Sequence, residues 1–308
     1  MTRKEQITQS DVTKVLLVLL GLMIAAGAGY GLVPRTTFSD NPALAMVPQM
    51  VYVALIYMPT PLYALLISKF LLGVDVPFRR LLLFKGLSFK NYFLAAGIFL
   101  LWLAIMVGLV ALLGWMWPEV FGAFVQTNAQ LLANIERLFG SAANAGLDLP
   151  SPLILLPIGA VGTLMAGLTI NALFAMTEEI MWRGYLSQKI TLPFYKKHLL
   201  IGFIWGAWHV PLIALGYNYG AENALLGVPM FIAFYMSFAL LFGLLIERTK
   251  VTWLAAILHG TFSGLAGIFT LLIVGGSPLL ASSAVGVVSV VAMLLNFVLW
   301  RRFIKIEE

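Results

Sequence analysis

The sequence contains no cysteine and few charged residues. None of its 308 residues is Cys, and only 10% are Asp, Glu, Lys or Arg. The lack of cysteine excludes disulfides and thiolate metal sites, and the low charge argues against a soluble domain, which carries about 25% charged residues. Because 61% of the residues are hydrophobic, the composition predicts an all-α polytopic membrane protein with a single membrane domain over residues 1–308.

The net charge of +6 does not indicate a nucleic-acid partner, because no basic–aromatic patch accompanies it. Lys and Arg instead accumulate in the cytoplasmic loops of membrane proteins. We therefore expect membrane lipids around the chain and no nucleic acid. The apolar stretch that follows residue 12 is too long for the core of a signal peptide, so we interpret it as a retained first span.

Apolar runs of about 20 residues, the length that crosses a bilayer, occur eight times. They lie near residues 13–33, 46–72, 92–117, 153–182, 199–216, 226–246, 253–274 and 280–300. Of the 19 Lys and Arg residues, all but Arg35 and Arg137 then fall on one side of the membrane. Since basic residues favour the cytoplasmic side, the sequence predicts eight transmembrane helices with both termini in the cytoplasm.

Two connections between these runs carry features of their own. The longest, residues 118–150, is predicted to be extracytoplasmic. Apolar residues recur in it at the spacing of an amphipathic helix lying at the membrane interface, at Leu131, Leu132, Ile135 and Leu138. In a second connection His198 follows two lysines, and we expect it to be solvated.

Ionisable side chains interrupt the apolar runs in the second half of the chain. Glu178, Glu179 and Arg183 end the fourth run, and His209 and His259 lie inside the fifth and seventh. A charged side chain at the centre of a membrane helix costs about 2.5–3.5 kcal/mol. We therefore expect these groups to converge between the helices of residues 150–275 rather than face lipid.

Helix geometry separates the two glutamates. Glu179 and Arg183 are four residues apart, share a helix face and stand in the favoured acid-first order. Glu178 is turned away by about 100° and is free of that pairing. We predict a supporting role for Glu179 and a chemical role for Glu178.

These residue types suit hydrolysis of a peptide bond, which requires a water activator and an oxyanion stabiliser. Glu178 can act as general base while His209 shares the proton. His259 can donate to the oxyanion together with Ser263, one turn further along. Zinc bound by Glu178, His209 and His259 stays open as an alternative, since two histidines and a carboxylate are a known ligand set.

At these residues the chain resembles the CAAX prenyl endopeptidase and bacteriocin-processing family, the Ras-converting type of intramembrane glutamate protease. The Glu-Glu-x-x-x-Arg motif of the family is present at residues 178–183. Its Phe-x-x-x-His motif is matched at residues 205–209 with Trp205 in place of Phe, which we interpret as a packing difference. Its His-x-x-x-Asn motif is matched at residues 259–263, with Ser263 in place of Asn.

The resemblance implies eight transmembrane helices around a conical, cytoplasm-facing cavity. We predict no cofactor, and zinc stays possible. The resemblance also implies that Glu178 and His209 activate water, that His259 and Ser263 form an oxyanion hole, and that Glu179 with its arginine supports the site. The implied partner is a peptide or a lipidated protein. It would be cleaved near the cytoplasmic membrane face, at a CAAX-like C-terminus or in another membrane-associated peptide.

Two other functions fit the same residues. A non-catalytic scaffold or bacteriocin-immunity protein would bind a peptide in the same cavity without cleaving it. A transporter would use the glutamate and the histidines as a proton relay. The transporter fits least well, because the two halves of the sequence show no repeat and no pair of spans broken by Gly or Pro.

Overall fold

The computed structural model describes residues 3–34, 47–82, 86–139 and 149–305. Within these ranges the fold is helical, as predicted, and five helices are long and apolar enough to cross a membrane. They are Gln9–Leu32, Val47–Leu72, Phe89–Met116, Ala221–Thr249 and Thr252–Leu272. A bent pair of helices supplies a sixth crossing if it counts as one span. The chain is therefore a helical membrane protein, and eight spans remain a prediction.

The helices of the first half of the chain are α1 (Arg3–Leu32), α2 (Val47–Tyr52), α3 (Thr60–Leu72), α4 (Phe78–Leu81), α5 (Phe89–Met116), α6 (Pro118–Phe121) and α7 (Asn128–Phe139). Those of the second half are α8 (Pro152–Gly167), α9 (Ile170–Glu179), α10 (Ser187–Lys189), α11 (Phe194–Trp208), α12 (Val210–Ala214), α13 (Ala224–Thr249), α14 (Thr252–Leu272) and α15 (Val287–Arg301). Two π-helical segments, Val53–Tyr57 and Ile180–Leu186, follow α2 and α9.

The predicted fourth and fifth spans are not continuous helices. α8 and α9 meet at an angle of 60° across Leu168 and Thr169. α11 ends at Trp208, and α12 begins directly after His209, with Pro211 in its first turn. Proline has no N–H to continue the helical ladder, which explains the second break. Both breaks lie within spans that carry the candidate site residues.

The predicted amphipathic segment is helical, as α7. Leu131 on α7 is 1% exposed and packs with Val125 and Leu272, while Asn134 donates to three carbonyls at the end of α14. A two-stranded antiparallel sheet, β1 (Ala123–Phe124) with β2 (Ile273–Val274), joins the same regions. The interfacial position of α7 stays a prediction. The described part of the chain does not include Arg35, the side chain of Leu138 or residues 140–148.

Glycines allow the helices that carry the candidate residues to pack closely. On α11, a Cβ atom at Gly206 would lie 2.7 Å from the Cα atom of Ile232 on α13. On α14, a Cβ atom at Gly260 would lie 2.7 Å from the backbone of Asn171 on α9. Each glycine has another four residues away, Gly202 and Gly264, the small-residue spacing typical of close membrane helix pairs.

The two ends of the bundle differ in charge. One end, which we call the basic end, contains residues 73–82, 187–197 and 248–251. Two contacts join these segments: Lys189 lies 4.0 Å from Asp75, and Trp253 donates to the Leu82 carbonyl. The opposite end contains residues 117–127, 215–223 and 273–286, tied together by hydrogen bonds such as that from Tyr219 to the Val285 carbonyl. No residue in these last three ranges is Lys or Arg.

Candidate active site

The two adjacent glutamates have different partners. Glu178 is 3% exposed, and its Oε2 atom accepts a hydrogen bond from the indole Nε1 of Trp205 at 2.8 Å. Glu179 is fully buried, and its Oε2 atom lies 3.3 Å from Nη1 of Arg183. Its other oxygen, Oε1, lies 3.0 Å from Nδ1 of His259. The contact with His259 has no counterpart in the sequence-based prediction, because it joins helices that are distant in the chain.

A π-helical segment begins directly after the glutamates. All seven residues of Ile180–Leu186 are buried, and π-helical turns inside α-helices are frequent at functional sites. The segment places the guanidinium carbon of Arg183 4.1 Å from the ring centre of Trp205 and 4.6 Å from that of Phe242. Aromatic faces stabilise a desolvated cation, so Arg183 and Glu179 form a buried ion pair that these rings hold in place.

His209 makes a hydrogen bond through each ring nitrogen. Nδ1 lies 2.9 Å from the carbonyl oxygen of Trp205, so Nδ1 carries the hydrogen and donates. In the neutral ring Nε2 is then an acceptor, and it lies 3.2 Å from the hydroxyl of Tyr235. The two rings stack at 4.5 Å. Tyr235 is absent from the sequence-based prediction. The available signal was that a tyrosine hydroxyl buried in an aromatic-rich span needs a hydrogen-bond partner.

The interpretation of Trp205 as a packing difference is wrong. Trp205 is fully buried, its indole N–H donates to Glu178 and its backbone carbonyl accepts from His209. Phenylalanine at this position has no side-chain donor. Trp205 therefore connects Glu178 on α9 with His209 at the end of α11.

Residues from six helices, α1, α2, α5, α9, α13 and α14, together with residues between helices, line one cavity of about 550 Å³. Glu178, His209, His259 and Ser263 all contribute to it, and Asn171 lines it while donating to the carbonyl of Gly260 at 3.0 Å. Aromatic rings form much of the remaining wall, at Trp102, Phe174, Phe231, Phe234, Tyr235, Phe238 and Phe262. Such a cavity offers an apolar surface with a small number of converging polar groups, the usual composition of a ligand site.

His198 is not solvated, contrary to expectation. It is 1% exposed on α11, and its Nε2 atom lies 3.7 Å from Oε1 of Glu247. The same glutamate binds Lys197 at 2.6 Å and pairs with Lys250. We call these four residues the Glu247 cluster; they lie at the basic end and do not line the cavity.

The zinc alternative meets competing contacts. Among the residues that the structure describes, no group of three or more His, Cys, Asp or Glu is placed to hold a metal ion. Both ring nitrogens of His209 have protein partners, and Nδ1 of His259 faces Glu179. Zinc bound by Glu178 Oε1 and by Nε2 of both histidines would have to displace only the Tyr235 hydroxyl from His209, so zinc stays an alternative through which no chemical step is routed.

The comparisons with known proteins agree with the motifs. Residues 150–265 match the family model of the type II CAAX prenyl endopeptidase Rce1-like proteins. The match extends from the start of α8 to the middle of α14 and contains every candidate site residue. A search of curated proteins finds no match.

Proposed function

Because residues 150–265 match the family model of the Rce1-like type II CAAX prenyl endopeptidases, we propose that the chain belongs to this family of proteases. In this proposal it is an intramembrane endopeptidase whose Glu178 and His209 activate water. The observation that supports this most strongly is that Glu178, His209 and His259, from three separate spans, line one cavity. Charged or titratable groups in a membrane are kept where they serve a function.

Glu178 is the general base in this proposal. Its Oε2 atom is held by the indole of Trp205, which leaves Oε1 to take a proton from water. The water oxygen then attacks the peptide carbonyl carbon, and the carbonyl π electrons move to oxygen. When the C–N bond breaks, Glu178 returns the proton to the leaving nitrogen, and the products are a carboxylic acid and an amine.

His209 orients the water through Nε2. The hydrogen bond from Nδ1 to the Trp205 carbonyl sets the tautomer, so Nε2 can accept from a water proton. The hydroxyl of Tyr235 occupies that nitrogen in the structure and would be displaced by the water when substrate is bound. Tyr235 thereby keeps the imidazole plane aligned between turnovers.

His259 and Ser263 supply the donors for the oxyanion. Since Nδ1 of His259 faces the Glu179 carboxylate, donation to the oxyanion comes from Nε2 and requires the imidazolium form. Glu179 stabilises that form, while Arg183 balances the charge of Glu179. Ser263 lies one turn further on α14 and lines the cavity, where its hydroxyl can donate in place of an amide.

The substrate in this proposal is a membrane-associated peptide or lipidated protein, since aromatic walls receive apolar groups. We also propose eight spans with both termini in the cytoplasm. They would comprise the five long helices, the bent pair α8–α9, the broken pair α11–α12, and α15.

Purified protein in lipid vesicles provides the test. Incubation with a peptide library in H₂¹⁸O should yield products carrying one ¹⁸O at the new carboxyl group, detected by mass spectrometry. His209→Ala should abolish these products while near-ultraviolet circular dichroism remains unchanged, and unaltered turnover would contradict the mechanism. A scaffold or immunity protein would instead bind peptide and never release a product. Chelators should leave cleavage unchanged; a loss that added zinc restores would favour the metal alternative.

A further inference from the structure

One polar side chain on the cavity wall is buried without a partner. Gln49 on α2 lines the cavity and is 9% exposed. Within the described part of the chain, its side-chain amide makes no hydrogen bond. A buried amide that loses its bonds to water and gains none in return destabilises the folded protein. An amide kept at such a position therefore points to a ligand that pairs with it.

Contacts with α1 fix the position of α2. Tyr52, three residues after Gln49, donates to the carbonyl oxygen of Ala26 at 2.9 Å, and its ring centre lies 6.3 Å from that of Tyr30. Gly29 leaves room for the Tyr52 hydroxyl, which a Cβ atom at that position would overlap. Because α2 is held against its neighbour, the amide is positioned before a ligand arrives, which lowers the entropy lost on binding.

A row of cavity residues leads from Gln49 toward Glu178. After Gln49 the row continues with Met50, Val53, Ala54 and Met58. At its far end the carbonyl oxygen of Met58 lies 3.4 Å from the hydroxyl of Thr177, the residue before Glu178. Gln49 and Met58 are nine positions apart, which corresponds to about 13 Å along a helix. The amide and the candidate general base therefore lie near opposite ends of one lined path.

A peptide backbone matches the chemistry of the Gln49 amide. The side chain offers two N–H donors and one carbonyl acceptor, and each peptide unit offers the complementary C=O and N–H groups. An ionised carboxylate only accepts and an ammonium group only donates, so neither satisfies both halves of the amide. An extended chain advances about 3.3 Å per residue, so the path from Gln49 to Glu178 holds about four residues.

We propose that Gln49 binds the backbone of an extended substrate peptide, at the peptide unit about four residues from the bond that is cleaved. This inference rests on the proposed function. Because the contact is made to the backbone, the subsite selects an extended main chain rather than a particular side chain. Gln49 lies outside the matched residues 150–265, so the cavity geometry alone identifies this subsite.

Ester substitution in the substrate measures the contact. Apolar peptides of one sequence carry a single backbone ester in place of one amide, at successive positions on both sides of the cleaved bond. Each ester removes one N–H and leaves every side chain unchanged. In vesicles, the parent protein should lose about tenfold in kcat/KM at one position about four residues from the cleaved bond, mainly through KM. A uniform kcat/KM across the series, or a loss confined to positions beside the cleaved bond, would overturn the proposal.

Gln49→Met removes the amide and nearly keeps the size of the side chain. KM for the peptide without an ester should rise about tenfold with kcat nearly unchanged, and the ester at the sensitive position should cause no further loss. The variant should unfold at a temperature no lower than that of the parent, because an unpaired amide has been removed. Met50→Leu changes the neighbouring wall residue without touching the amide, so it should keep the ester pattern of the parent.

Three results for Gln49→Met would overturn the proposal. An ester effect that persists in the variant would place the backbone contact on another residue. An unchanged KM would mean that the amide binds only water. A lower unfolding temperature together with the ester pattern of the parent would assign Gln49 a structural role. Each of these results leaves the proposed function standing, since the peptide is still cleaved, whereas absence of cleavage by the parent protein would contradict the function itself.

Discussion

Glu178 and Glu247 are two partly or fully buried carboxylates in the same bundle with opposite surroundings. Glu247 binds Lys197 at 2.6 Å and also pairs with Lys250. Glu178 has no ion pair within 4 Å among the described residues, and an indole N–H is its hydrogen-bond donor. A carboxylate fixed by two cations gives little to a reaction, whereas one with a neutral donor and an open cavity can accept a proton. The partners of a buried acid, rather than its burial, therefore distinguish a candidate general base from a structural carboxylate.

The largest effect is expected for Glu178→Gln. Removal of a general base typically costs about 10²–10⁴-fold in rate, and the amide keeps the size and the contact with Trp205. Steady-state kinetics in vesicles should show this loss in kcat. Glu247→Gln is the matched control and should retain kcat. Equal losses in both variants would remove the distinction between the two acids.

Trp205→Phe tests whether the indole N–H orients the base. A hydrogen bond to a charged group contributes about 1.5–3 kcal/mol, so kcat should fall about 10–100-fold with KM nearly unchanged. Trp208→Phe is the control on the same helix, because it removes a similar volume and the indole donor to Thr60 at 2.9 Å. Both variants should lose thermal stability.

If Trp208→Phe loses as much kcat as Trp205→Phe, the effect is one of packing. Incorporation of benzothienylalanine at position 205 separates the two causes further, since sulfur replaces the N–H in a ring of nearly the same shape. This variant should keep the stability of Trp205 and still show the reduced kcat.

Ser263→Ala should lower kcat about tenfold, since it removes one neutral hydrogen bond of about 1.4 kcal/mol to the oxyanion. Ser263→Asn restores a donor and should retain most of the activity. Rates of both variants on one peptide provide the measurement. An Ala variant as active as the parent would leave His259 as the sole donor.

The smallest effect is expected for the stability of Glu247→Gln. Ion pairs near a surface contribute about 1 kcal/mol or less, so the free energy of unfolding should fall by that amount at low salt. The difference should shrink at high salt, because solvent ions screen the parent pairs. Thermal unfolding at two ionic strengths measures it; a loss independent of salt would mean that packing, not charge, holds the cluster.

The sequence predicted the helical membrane class and the helices that carry the site, because long apolar runs and isolated charges are local signals. It did not predict the 60° bend at Leu168 and Thr169, where no proline lies at the break. His198 shows the same limit, since two neighbouring lysines suggested a loop while packing against Phe194 at 4.6 Å decided its burial. The hydrogen bonds of Trp205 and Tyr235 depend on helix crossings, which no single segment encodes.

The bend between α8 and α9 also has a consequence for water. The first turn of every helix leaves backbone N–H groups without partners inside the helix, and α9 starts beside Asn171 on the cavity wall. Interrupted backbone at membrane depth is tolerated where it is buried in protein or lines a hydrated space. The break thus places the first turn of a helix beside the cavity, where backbone N–H groups can bind the water that a hydrolysis consumes.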